Sequence, residues 1–249
     1  MKKIIFLLAF AFTFSNAMAQ MTWMTAYKVD PVKMKDAKSA IGKKTKKYNS
    51  NVDGELIYTY EIVAGDRANY LVRSGFAESM AQFDSYGSQG LDYWMENVDP
   101  LIASSSGREY YVRRDAASHD VAKPGENTIG FNIDYVVGPN RDHFWKFRRN
   151  IANALKESGE DLSLNVWSSG GGGPQGHVRV SFNFRNLEHY GNFRQIMGRI
   201  SDTYDEIYGN NAWDTDIQLL RESLEMWGAQ TELVRFLPEL SSPPIALQE

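Results

Sequence analysis

The residues with the most chemistry in this chain alternate. In the segments 128–137, 162–167 and 177–184, every second side chain is polar or aromatic: Asn132, Asp134, Ser163, Asn165, Trp167, His177, Arg179, Ser181 and Asn183. The intervening set is Phe131, Ile133, Tyr135, Leu162, Leu164, Val166, Val178, Val180, Phe182 and Phe184, which is almost wholly apolar. Successive side chains of a strand point to opposite faces, so these strands turn an apolar face to covering helices and a polar face away from them. If the polar face is enclosed, its amides, carboxylate and guanidinium converge on a small-molecule site, with Trp167 as a stacking surface. If it is open, it is the wet side of a half-exposed antiparallel sheet. The same register earlier in the chain gives Met24, Ala26, Lys28, Leu71 and Arg73, with either Tyr58 and Tyr60 or Thr59 and Glu61. Lys28, Arg73 and Arg179 suit a carboxylate or other anion through charge-assisted hydrogen bonds. The candidate ligand-binding set is Asn132, Asp134, Asn165, Trp167, His177, Arg179, Asn183, Arg73 and Lys28; no catalytic residue is assigned.

Other motifs carry less. The run from Ser168 to Gly176 holds four consecutive glycines. It joins two predicted strands and no Gly-Lys-Ser/Thr follows, so it reads as a hairpin loop, or as a flap over the pocket, rather than a phosphate cradle. The histidines His119, His143, His177 and His189 lack metal-ligand spacing. His177 reads as a surface histidine at a strand end, with a general base or a haem ligand as the sharper alternatives. No Gly-x-Ser-x-Gly elbow occurs. The expectation is no metal and no cofactor.

These residues need strands and helices to hold them. In the first half, 22–29 reads as a strand, Asp30-Pro31 as a helix start, and Met34, Ala37, Ile41 and Tyr48 as one face of a helix. After the Asp53-Gly54 turn come strands at 55–63 and 68–76, a helical region at 79–103 and a strand at 109–114. The second half gives the same order: a strand at 128–137, a helix carrying Phe144, Phe147, Ile151 and Leu155, strands at 162–167 and 177–184, a helical region at 187–226 and a strand at 231–237. Lys33, Lys35, Lys38, Lys43, Lys44, Lys46 and Lys47 crowd the first helix as a solvated face, or as a surface for anionic envelope components.

The two halves also repeat in sequence. Tyr27-Lys28-Val29-Asp30-Pro31 returns as Tyr135-Val136-Val137-Gly138-Pro139, and 70–76 returns as 178–184, both at an offset of 108. That is the size of a small domain, so duplication of a whole domain is expected. Strand-helix-strand-strand-helix-strand is the ferredoxin-like order. The expected class is therefore α+β, with two tandem ferredoxin-like repeats whose sheets pack together. About fourteen extra residues, at 203–216, expand the second helical region. They bring Tyr204, Tyr208 and Trp213, with Trp227 nearby, as core, as a barrel-end closure or as a dimer contact. On this order and duplication the chain resembles the dimeric α/β-barrel superfamily over roughly 22–237. The resemblance implies a barrel, and a membership that includes monooxygenases, haem-handling enzymes and proteins without known activity. It carries no catalytic residue over.

The ends and composition bound the rest. Lys2 and Lys3, the apolar run 4–14 and Ala17-Met18-Ala19 read as a signal peptide at 1–19, giving an exported chain, periplasmic or secreted, that begins at Gln20. The expected divisions are 20–115, a linker at 116–127, 128–238 and a disordered tail at 239–249. There is no cysteine, so disulfides and thiolate chemistry are excluded. The net charge of −4 argues against nucleic acid as partner. The 4–14 run is well short of the ~20 residues a bilayer span needs, and no other apolar run approaches that length; a homo-oligomer is left open. The leading function is an exported binder of a small anionic or aromatic ligand. The alternatives are a monooxygenase-like enzyme, as the resemblance implies, and an envelope interaction protein without a pocket.

Overall fold

The computed structural model describes residues 20–243 apart from 52, 53, 87, 89, 123 and 124, with the backbone alone at 226–229. Residues 1–19, expected to be a signal peptide, Asp53, the Trp227 side chain and the tail beyond 243 lie outside the described residues.

The first half runs β1 (Met21–Val29), α1 (Met34–Tyr48), β2 (Ile57–Ala64), β3 (Tyr70–Ala77), α2 (Met80–Ser85), α3 (Leu91–Asn97), β4 (Ile102–Ser105) and β5 (Glu109–Arg113). The second runs β6 (Ile129–Val137), α4 (Arg141–Ser158), β7 (Ser163–Gly171), β8 (His177–Phe184), α5 (Leu187–Gly191), α6 (Phe193–Tyr208), α7 (Ala212–Glu222) and β9 (Leu224–Phe236). Asp30 caps a 3-10 turn at Pro31–Lys33, accepting from the Val32 amide at 3.0 Å, and α1 continues from it. The expected helical region at 79–103 resolves into two short helices, a 3-10 turn and a strand. The Ile102–Ser105 end pairs with Tyr27, Lys28 and Val29 instead of extending a helix.

Eight strands close into an antiparallel barrel, in the order β1-β3-β2-β9-β6-β8-β7-β5 and back to β1, and β4 extends the free edge of β1. The barrel expected from the pairing of two sheets is present, but it is closed through strand edges and not by stacking two separate sheets. The halves meet edge to edge, through β2 with β9 and β5 with β7, so one continuous sheet wraps around an interior. An edge strand leaves a row of backbone groups unpaired, and closure removes it.

Helices cover the outside. Phe144, Phe147, Ile151 and Leu155 of α4, together with Ile196, Ile200 and Tyr204 of α6, pack on Leu164, Val166, Val180, Phe182 and Phe184. The stretch 203–216, expected as an insertion, joins this core: Trp213 meets Phe147 at 5.4 Å and Tyr204 at 5.5 Å between ring centres. A second cluster, with Ala37, Ile41, Leu71, Val98 and Leu240, lies under α1. Leu240 marks another difference from the sequence reading. The stretch expected to be a loose tail begins with a 3-10 turn at Pro238–Leu240, and Ser241 and Ser242 accept from the amides of Thr59 and Ile57.

The glycine run is only partly a loop. Ser168 to Gly171 extend β7 and pair with β5, forming one of the two seams. Gly172 then turns with φ 83°, and a Cβ there would lie 2.4 Å from the Arg108 carbonyl oxygen. Gly173 has ordinary space, with nothing nearer than 3.5 Å. Gly172→Ala therefore lowers the urea midpoint by the equivalent of roughly 1–3 kcal/mol, whereas Gly173→Ala changes it little; equal effects contradict this account of the seam.

Candidate functional site

The interior holds a cavity of about 450 Å³. Its polar wall is built by register. Asn165, Ser181, Asn132 and Glu232 face one another across β7, β8, β6 and β9, and Trp167, Arg179, Asp134 and Gln230 form the next row. In the row on the other side, Ser163 and Asn183 meet Gly130. A Cβ on Gly130 would lie 2.9 Å from Val234 and 3.4 Å from the Asn183 amide oxygen, so the missing side chain leaves the cavity room. The opposite wall comes largely from the first half: Met24, Tyr58, Tyr60, Val72, Ser74 and Phe76, with Phe236 of β9. Tyr58 meets Phe76 at 5.4 Å, Tyr60 meets Phe236 at 5.5 Å, and Phe76 reaches Trp167 at 6.1 Å between ring centres. A ring-lined wall therefore faces a wall of amides, hydroxyls and charges.

The charges are fixed before any ligand arrives. Arg179 grips Asp134 with two parallel bonds, Nε to Oδ1 and Nη2 to Oδ2, each 2.8 Å. His177 Nε2 lies 2.9 Å from Asp134 Oδ1, and its Nδ1 lies 3.3 Å from the Tyr111 hydroxyl, which donates to Glu109. Burial pushes the Asp134 carboxyl up, but the Arg179 charge and the His177 bond outweigh it and hold the group well below the usual carboxylate range. Burial opposes the charge of Arg179 as well, and Asp134 more than restores it. Two of the five Arg179 N–H bonds go to Asp134 and one to Met24 Sδ at 3.1 Å, which leaves donors for a ligand. Ser181 donates to Asn132 Oδ1 at 2.7 Å, leaving the Asn132 amide hydrogens to donate in turn.

At the mouth, Arg113 donates to Asn165 Oδ1 at 3.1 Å and pairs with Asp120 of the 116–127 segment. Asn165 also donates to Asp120, at 3.1 Å. Arg67 holds Glu232 through a two-bond pair at 2.7 and 2.8 Å. Both wall carboxylates, Asp120 and Glu232, thus face guanidinium partners.

Of the residues singled out from the sequence, Asn132, Asn165, Trp167, Arg179 and Asn183 line the cavity. Asp134 and His177 stand behind Arg179 and position it; His177 is nearly buried, not a surface histidine at a strand end. Lys28 lies on the interior side of β1 but beyond the cavity, exposed at the strand end. Arg73 faces the helices, with Nη2 on Thr45 of α1 at 3.0 Å, and Leu71 packs under α1. The interior positions of β3 are Val72, Ser74 and Phe76, so its register differs by one residue from the 108-residue offset. The choice left open on β2 falls to Tyr58 and Tyr60. Sequence reasoning missed Arg113, Glu232 and Phe236; alternation along 109–114 and 231–237 was the signal that marks them. Among the described residues no cluster of three acids or histidines could hold a metal.

Asp134→Asn leaves the Arg179 charge buried without its counter-ion. It should cost about 3–5 kcal/mol in chemical denaturation. Because the folded-state value of Asp134 is depressed, its stabilisation is complete above the ordinary aspartate value of ~3.9 and drains away as the pH falls below it. Melting curves of the wild type and Asp134→Asn therefore converge on acidification; parallel curves below pH ~4 contradict the assignment.

No protein-family model matches the chain, and no curated protein matches it significantly. Solved structures do. The chain is similar in fold to a candidate monooxygenase from Lactobacillus acidophilus NCFM, at TM-score 0.58 and 10% identity over 92% of this chain and 100% of that one. Chlorite dismutase from Candidatus Nitrospira defluvii matches at TM-score 0.55 and 10% identity, over 88% and 92%. An anthrone oxidase-like protein matches at 0.52 and 11%, over 91% and 97%. The fold is of the dimeric α/β-barrel type, closed here within one chain.

Proposed function

We propose that the protein is a monooxygenase-like enzyme of the dimeric α/β-barrel type, acting on a small, planar, electron-rich aromatic molecule. The observation that carries this reading is the division of the cavity into a ring-lined wall and a donor wall anchored by Arg179. A fused-ring phenol or ketone fills such a slot with its plane against Trp167, Phe76 and Phe236 and its oxygen towards Arg179 and Asn132. The shared fold with a candidate monooxygenase and an anthrone oxidase-like protein supports it.

The chemistry balances with dioxygen alone. A methylene flanked by rings becomes a carbonyl; two C–H bonds break, one oxygen atom enters the product and the other leaves as water. The substrate supplies the electrons and the hydrogens. The chain's residues orient the rings, exclude water and hold negative charge on the substrate oxygen. Haem does not enter this scheme: His177, the histidine considered as an iron ligand, has Nε2 on Asp134 and Nδ1 on Tyr111.

A second reading is an exported binder without catalysis. It is favoured by the pairing of both wall carboxylates with arginines, which leaves neither free as a base. Oxygen uptake and Trp fluorescence with anthrone as probe separate the two. The enzyme reading expects saturable oxygen consumption, and a fall of roughly 100-fold in kcat/KM for Asn132→Ala. Binding without oxygen uptake leaves the binder, and no binding at all leaves the interaction protein.

Two further expectations belong to this reading. The halves are tandem ferredoxin-like repeats, as the matching strand orders β5-β1-β3-β2 and β9-β6-β8-β7 support. The protein is exported, and N-terminal sequencing of material recovered outside the cytoplasm reads from Gln20; a retained Met1 in that fraction overturns the assignment.

A further inference from the structure

The first half buries positive charge that the cavity does not use. Arg73 on β3 is 3% exposed and Lys44 on α1 is 7% exposed. Arg73 Nη2 donates to Thr45 Oγ1 at 3.0 Å, its guanidinium carbon lies 5.0 Å from the centre of the Trp94 ring, and its Nε has no hydrogen-bond partner. Lys44 Nζ donates to Asn49 Oδ1 at 2.6 Å. Among the described residues, neither cation has a carboxylate within 4.0 Å. Glu55 attracts both from further away, but its Oε1 accepts from Trp23 Nε1 at 2.7 Å. Arg108, stacked over Trp23 at 4.2 Å, adds a third positive charge to the neighbourhood. Lys44 therefore does not belong to the solvated lysine face that its sequence neighbours suggest.

A buried charge is costly unless it is paired and hydrogen-bonded. A water could satisfy the Arg73 Nε hydrogen but would neutralise nothing. Burial, followed by the Arg73 charge, brings the Lys44 ammonium down to about 8, and burial brings Arg73 down to about 10. Both groups are thus under-compensated where they stand, and an oxyanion supplies what each lacks.

We propose that Arg73 and Lys44, with Thr45 and Tyr27 beside them, form a second binding site that takes a small oxyanion, a carboxylate or phosphate group, on the helix side of the first half. Tyr27 closes the site against Trp94, their ring centres 5.1 Å apart. The site is separate from the barrel cavity but shares a wall with it. Val72 and Ser74 flank Arg73 on β3 and line the cavity, so the anion sits one strand thickness from the substrate position.

The test uses the purified protein, with inorganic phosphate and acetate as probes and chloride at matched ionic strength as control. A ligand that binds the folded state alone raises the melting temperature with the logarithm of its concentration. Phosphate or acetate should raise the melting temperature of the wild type through the millimolar range beyond the effect of chloride, and change the tryptophan fluorescence in step. Lys44→Met should melt higher than the wild type without anion, because a buried charge is gone, and should lose the response. Arg73→Leu should lose it as well. Asn183→Ala, in the cavity wall, should keep it, which separates this site from the proposed oxidation site. A wild type indifferent to both anions, or a full response retained in Lys44→Met, overturns the proposal.

Discussion

Two seams of antiparallel pairing, β2 with β9 and β5 with β7, turn the sheet in on itself, and the rest of the molecule follows from that closure. Without them each half would expose two strand edges and one uncovered face. With them the backbone groups of the edges are satisfied, the outer face is left to the helices, and the inner face becomes an interior. Side chains on that inner face are largely withdrawn from bulk water, Arg179 and Asp134 among them. Polar groups placed there must find partners within the barrel.

The partners they find explain the character of the cavity. Asp134 and Arg179 stand directly opposite each other on β6 and β8, and the pleat brings their side chains together. Each would be costly alone in such a place. Together, with His177 and Tyr111 behind them, they make a fixed electrostatic floor that needs no rearrangement when a ligand arrives. Polar residues come chiefly from the second half and rings chiefly from the first, so the slot takes its two-sided chemistry from joining the halves.

Alternation is a local property, and it was legible wherever strand limits were clear. All nine residues of the polar set on β6, β7 and β8 fall on the inner face, and the apolar set falls under α4 and α6. On β3 the same reasoning failed by one position. The 108-residue offset holds between β1 and β6, yet Ala26 pairs with Val72 while Asp134, 108 residues after Ala26, pairs with Arg179, 107 residues after Val72. A shift of one residue exchanges the two faces of a strand, and it sent Arg73 and Leu71 to the wrong side. The glycine run misled for a related reason. Its first residues are held in β7 by pairing with β5, a partner more than fifty positions away in the chain.

By itself the sequence determined the periods: most of the long strands and the apolar faces of α1 and α4, though not the strand at Ile102–Ser105 or the extension of β7 into the glycine run. Those are properties of neighbouring residues and need no knowledge of what lies across the molecule. Only the tertiary structure decided that the halves join by their edges rather than their faces, that Tyr58 and Tyr60 rather than Thr59 and Glu61 look inward, and that Lys44 is buried beneath its own lysine-rich helix. Each of those outcomes depends on hydrogen bonds or contacts between segments far apart in sequence. No local pattern encodes which distant strand will complete the row.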